Sequence, residues 1–139
     1  MKDCSNKIRS AYYTALNGAV TYNAVAVPVY AELPKSATYP CICISNIDIT
    51  DASDKSKYNA NVNVSIDIIT KFDGDGSNIQ MDTIGSAVLQ IVNARTKLTL
   101  TDFDLITCKL ESANETDTLE QEFKYKIKTY IINNYITEK

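Results

Sequence analysis

The segment Asp73-Gly74-Asp75-Gly76-Ser77-Asn78 comes nearest to a metal-binding motif in this sequence. A calcium loop between two helices would use Asp73, Asp75 and Ser77 as its first, third and fifth ligands, with Gly in sixth place and Glu in twelfth. Asn78 and Ile84 stand there instead, and the residues before the loop read as a strand. The segment is therefore expected to be a turn capping a helix. No Gly-Lys-Ser/Thr follows Gly74 and Gly76, and four glycines in all leave no material for a dinucleotide fingerprint. The cysteines are Cys4, Cys41, Cys43 and Cys108. Zinc would want two close pairs, but Cys4 and Cys108 are isolated. Cys41 and Cys43 lie two apart along one strand, on one face but too close along the chain to join. All four read as reduced thiols, with Cys41, Cys43 and Cys108 buried. There is no histidine, which removes Ser-His-Asp and Cys-His catalysis and His metal ligation. The carboxylate pairs Asp48/Asp51 and Glu120/Glu122 fall on polar faces or near loops and read as solvated charge. The expectation is a protein with no catalytic, cofactor-binding or metal site.

Charge and composition narrow the classes further. The chain has 139 residues, 45% hydrophobic and 22% charged, which suits one soluble globular domain over 1–139. Fourteen basic against seventeen acidic residues give −3, so the chain as a whole is not a polycation that grips phosphates. The row Lys124, Lys126, Lys128 could touch DNA or an acidic neighbour, but it reads first as a solvated strand face that discourages edge pairing. Met1 to Lys7 has no apolar stretch behind its positive charge, and no apolar run approaches the roughly 20 residues of a membrane span. The expectation is an intracellular protein that does not touch a membrane.

The elements follow from periodicity. Ile8, Ala11, Tyr12, Ala15 and Leu16 recur at helical spacing, which predicts a helix capped by Ser5 and stopped at Asn17-Gly18. Val25 to Ala31 is β-branched but interrupted by Pro28, which places it at a sheet edge. Cys41 to Ile49 predicts a strand whose apolar phase changes after Ile44, implying a β-bulge near Ser45-Asn46. Thr50 to Asn61 reads as a polar connection. Val62, Val64, Ile66, Ile68 and Phe72 alternate inward against Asn61, Asn63, Ser65, Asp67 and Lys71. A second helix from about Ile79 to Ala94 presents Ile84, Val88, Ile91 and Val92. Phe103 to Leu110 is a strand, Glu111 to Thr118 a hairpin tip, and a final strand runs from Gln121 to about Ile132 with Phe123, Tyr125 and Ile127 inward. The order α-β-β-β-α-β-β predicts an α+β fold: a mostly antiparallel sheet of about five strands with two helices on one face.

The final strand carries the most consequence. It spans on the order of 40 Å at ~3.3 Å per residue, comparable with the width of a domain this size. Tyr130, Ile131 and Ile132 are apolar on both faces, and Tyr135 and Ile136 follow. Either the first helix or a second copy must cover them. The expected contact set for self-association is Val27, Val29, Tyr130, Ile132, Tyr135 and Ile136.

The order of elements, with Tyr39-Pro40 opening the apolar strand Cys41-Ile42-Cys43-Ile44 and the helical pattern from Ile8 to Leu16, resembles the tail-completion (tail-terminator, minor tail protein U-like) family of tailed bacteriophages. The loop from Thr50 to Asn61 and the hairpin from Glu111 to Thr118 are not diagnostic of it. The resemblance implies a structural virion subunit, not a catalyst. It would form a homo-oligomeric ring, hexameric or in related connectors dodecameric, at the head-proximal end of a tail. Its partners would be copies of itself and the neck, connector and tail proteins, with DNA passing through the lumen without specific binding. Glu111, Glu115 and Asp117 are then the candidates to line that lumen. A connector, adaptor or tail-tube protein is the related alternative. A small enzyme or ligand-binding module is the unrelated one, and it would need a deep pocket with convergent polar groups.

Overall fold

The computed structural model describes residues 3–73, 78–93, 98–120 and 123–139. Helix α1 (Ser5–Leu16) buries Ile8, Ala11, Tyr12 and Leu16. Its cap differs from expectation. Cys4 holds the N-cap position with no side-chain hydrogen bond, and Asp3 Oδ1 accepts from both the N–H (2.9 Å) and the hydroxyl (2.8 Å) of Ser5. A carboxylate two residues earlier thus does the work assigned to Ser5, because an ionised acceptor makes the stronger bond. The stop is as read: Gly18 has φ +78°, a left-handed backbone that glycine adopts at no steric cost.

Two short strands, β1 (Thr21–Tyr22) and β2 (Val25–Ala26), form a hairpin. Its turn holds Asn23 at φ 51° and Ala24 at φ 65°, the mirror-image turn whose twist matches two antiparallel strands. After Pro28, β3 (Val29–Tyr30) runs parallel to β4 (Cys41–Asp51) at the sheet edge. Pro28 donates nothing there and only accepts, from Ile42 N–H at 2.9 Å.

The five-stranded sheet has the order β3-β4-β5-β7-β6, antiparallel except at β3–β4. The expected bulge in β4 falls between Ile44 and Asn46. It lets Ile42, Ile44 and Ile47 all pack toward the helices despite their change of phase. The polar connection is shorter than predicted, since β4 runs to Asp51 and β5 (Asn59–Asp73) starts at Asn59. Along β5, Val62, Val64, Ile66 and Ile68 are buried as expected, and Ala60 and Thr70 extend the row. The Phe72 side chain and residues 74–77, the predicted turn, lie outside the described residues. Helix α2 (Asn78–Val92) turns Met81, Ile84, Gly85, Val88 and Val92 to the sheet, with Ile91 half-buried.

Two corrections concern the last hairpin. Strand β6 runs from Phe103 to Glu120 and β7 from Phe123 to Glu138, so Glu111 to Thr118 is strand rather than tip. Its polar, weakly β-prone residues are held by register: Ser112 lies opposite Ile131 and Thr118 opposite Tyr125. Pairing overrides propensity here. The facing of β7 at this end is also the reverse of expectation. Register with β5 continues without a shift from Phe123 to Thr137. One phase therefore holds throughout, and the odd residues Tyr125 and Ile127 face away from Tyr130, Ile132 and Ile136. Tyr125 and Ile127 pack with Cys41, Cys43 and Ile69 on the face without helices, while Lys126 and Lys128 turn toward α2.

Candidate functional site

Among the described residues, no cluster of three or more His, Cys, Asp or Glu side chains could hold a metal. No described helix is long and apolar enough to cross a membrane. What the sheet offers instead is surface. Strand β6 is hydrogen-bonded to β7 on one side, and β3 covers β4 only at Ile42 and Cys43, leaving the rest of β4 at the border. Exposed apolar side chains stand on both borders: Ile49 (37%) on β4, Ile106 (41%) and Leu110 (36%) on β6.

The residues expected to join copies are mostly used within the chain. Val27, Val29, Tyr130, Ile132 and Ile136 are buried in the same core as Ile8 and Leu16 of α1 and Val88 of α2. The chain's own helices thus cover the apolar end of β7, so these five side chains have no free surface to present. Tyr135, on the opposite face, is half-buried.

Glu111, Glu115 and Asp117 are exposed along β6, with Glu115 opposite Lys128 and Asp117 opposite Lys126 on β7. Lys128 Nζ lies 3.5 Å from Glu115 Oε1 and 3.1 Å from Asp82 Oδ1. It also sits 5.5 Å above the Tyr130 ring. Burial works against the Lys128 charge, but the hydrogen bond to Asp82 and the nearby Tyr130 outweigh it and hold the ammonium above its ordinary pKa. Lys126 donates to Asn78 Oδ1 at 2.6 Å. Lys126 and Lys128 are therefore tied to α2, and Lys128 also to Glu115 of β6, rather than laid open on their own, while the Lys124 side chain lies outside the described residues.

A buried polar node escaped the sequence reading. Tyr12 Oη donates to Asn134 Oδ1 at 2.7 Å and lies 3.7 Å from Cys108 Sγ. Asn134 Nδ2 donates to the carbonyls of Val62 and Ile132, both at 3.1 Å, and Cys108 Sγ donates to Val92 O at 2.7 Å. The node ties α1, α2, β5, β6 and β7 together. Its signal was phase: Asn134 occupies an inward position between Ile132 and Ile136. Burial, and then Cys108 beside it, push the Tyr12 hydroxyl far above its ordinary pKa.

On the face without helices, Tyr39 and Tyr125 meet edge to face at 5.4 Å, and Lys71 Nζ lies 5.9 Å from each ring centroid. Beneath them Cys41 is buried, and that burial, with Cys43 adding, pushes its thiol up to about 12. Further along, Thr129 Oγ1 donates to Asp67 Oδ1 (2.7 Å) and Asn133 Nδ2 to Asn63 Oδ1 (2.8 Å).

Paired strands and two unlike borders offer surfaces to neighbours, and comparison with known families says what kind of protein this is. The model of the tail completion protein gp17 family matches residues 10–128. The chain belongs to that family. This tail completion protein is accordingly a structural component of a phage virion and not an enzyme. Its fold is shared with a chain of a solved structure, "Virion of native gene transfer agent (GTA) particle". The two are 20% identical, with a TM-score of 0.74 over 98% of this chain and 99% of that one. No curated protein matches the sequence. The family is the one that Tyr39-Pro40 and the element order suggested.

Proposed function

We propose that this tail completion protein assembles into a closed ring at the head–tail junction, where it ends the tail and docks it to the neck. The observation that carries the reading is the pair of unlike sheet borders in a member of this family. A contact between two different surfaces repeats from copy to copy, and it closes into a ring when its rotation divides a full turn. A ring of six copies, or twelve as in connectors, is compatible with this chemistry. The partners are further copies, the neck or connector proteins and the tail proteins. Glu111, Glu115 and Asp117 are the proposed lumen residues. Glu115 and Asp117 stand opposite Lys128 and Lys126, so the wall they form is of mixed sign in a chain of net charge −3, suited to letting DNA slide past without holding it. Tyr135 stays in the proposed contact set. Val27, Val29, Tyr130, Ile132 and Ile136 support it from beneath.

Negative-stain images with mass photometry of the purified chain test the proposal. Discrete rings of one mass are the expected result. Open-ended tubes would favour a tail-tube role, and a monomer at every concentration, with or without tails, would overturn the ring.

A further inference from the structure

Register carries the ring reading one step further, to the contact itself. Residues that lie on one transverse row of the sheet can be traced from border to border. Ile47 pairs with Val64, Val64 with Ile132, and Ile132 with Leu110; Asp48 pairs with Asn63, Asn63 with Asn133, and Asn133 with Lys109. In the same way Ile49 shares a row with Cys108, and Thr50 with Thr107. The part of β4 that β3 leaves uncovered thus stands at the same height as the part of β6 that exposes Ile106 and Leu110.

We propose that β4 of one copy, over Ile47–Thr50, lies against β6 of the next, over Thr107–Leu110, with Asp48 facing Lys109 across the contact. The inference rests on the ring reading above. Rotation about an axis along the strands keeps every residue at its height, so a neighbour generated in this way brings the matching rows together. It also keeps strand direction. Since β4–β5, β5–β7 and β7–β6 are each antiparallel, β6 runs opposite to β4, and the new neighbours are antiparallel, the easier pairing to form. The chemistry of the rows is complementary. Asp48 and Lys109 carry opposite charge on the face marked by Asn63 and Asn133, and neither has an ion-pair partner among the described residues. Ile49 is more than a third exposed on one border and Leu110 on the other. Within the chain, Asn93 Oδ1 accepts the N–H of Leu110 at 3.1 Å, a side-chain guard of the kind that keeps a lone strand edge from pairing indiscriminately.

The test uses the full chain. Asp48 and Lys109 are three strand spacings apart within one copy, about 14 Å, too far for an internal disulfide. Oxidising the Asp48→Cys, Lys109→Cys double variant is expected to give a covalent ladder of multimers on denaturing gels, which neither single variant gives. Asp48→Lys and Lys109→Asp alone are each expected to raise the concentration for half-assembly about tenfold or more, through like charges set opposite one another. Combining the two reversals restores the wild-type value. If rings form but no ladder appears and neither reversal shifts assembly, the contact is wrong while the ring stands. Reversals that weaken assembly without mutual rescue likewise refute the pairing. If the wild-type chain never forms rings, both proposals fall together.

Discussion

On the helix-bearing face of the sheet, β5 contributes Ala60, Val62, Val64, Ile66 and Ile68, all fully buried. On the other face the same strand contributes Asn61, Asn63, Ser65 and Asp67, all half-buried, of which Asp67 and Asn63 accept hydrogen bonds from Thr129 and Asn133 of β7. The first face holds the fold, and α1 and α2 supply its cover. The second has an apolar island, Cys41, Cys43 and Ile69 with Tyr39, Tyr125 and Ile127, and beyond it Ile131 and Tyr135 stand half-buried among amides, hydroxyls and the Asp67 carboxylate. A two-residue period is what lets one strand serve both roles. The difference teaches that apolar character in a strand marks a buried side chain but does not say which layer buries it.

Adjacent residues of β5 break the comparison most sharply. Ile68→Ala, on the helix face, is expected to cost about 3–5 kcal/mol through lost burial and a residual cavity. Ile69→Ala, in the thin island behind it, should cost about 2 kcal/mol by the same mechanism. Urea unfolding of the two variants checks this, and equal losses would mean that the second face is as firmly packed as the first. Gly85 comes next. A Cβ there would stand 2.3 Å from Tyr130 Oη and 3.2 Å from Cζ, so Gly85→Ala should cost about 2 kcal/mol by overpacking. Tyr130→Phe in that background should recover part of the loss, because the nearest clashing atom is gone. Tyr12→Phe removes the donor to Asn134 Oδ1 and should cost about 1–2 kcal/mol, seen in thermal or urea melts. The last effect belongs to the island and is absent at neutral pH. Burial holds Cys41 protonated until about pH 12 in the folded chain, against 9.0 as the ordinary value. The unfolded chain releases that proton first. Stability is therefore unaffected by this thiol below about pH 9 and declines between about pH 9 and 12, and Cys41→Ala should flatten that part of the profile.

Much of this architecture was legible from spacing alone. The alternation from Asn61 to Ile68 placed β5, the phase change after Ile44 placed the bulge, and Pro28 placed an edge. The misreadings share a cause. Glu111 to Thr118 has loop composition but is strand because β7 lies beside it, and Tyr125 and Ile127 were assigned to the wrong face because a second, smaller core is invisible to a pattern that assumes one. The apolar end of β7 shows a related ambiguity. Exposed apolar strand and strand covered by a helix look alike in sequence, and only the packing of α1 and α2 distinguishes them. Ile49, Ile106 and Leu110 could not be singled out, since their exposure follows from which strands end the sheet. The polar node was within reach, because Asn134 breaks an inward run of Tyr130, Ile132 and Ile136.

Strand order also sets a timetable for synthesis. Strand β7, which follows the other described elements in the chain, fills an interior place between β5 and β6, so a nascent chain that has not yet reached it holds two of its longest strands without the partner that joins them. The β5–β7 pairing, between segments far apart in the chain, closes slowly and leaves apolar surface open in the meantime. Until translation has passed Glu138, β5 and β6 lack the strand that joins them, and the sheet is two separate halves.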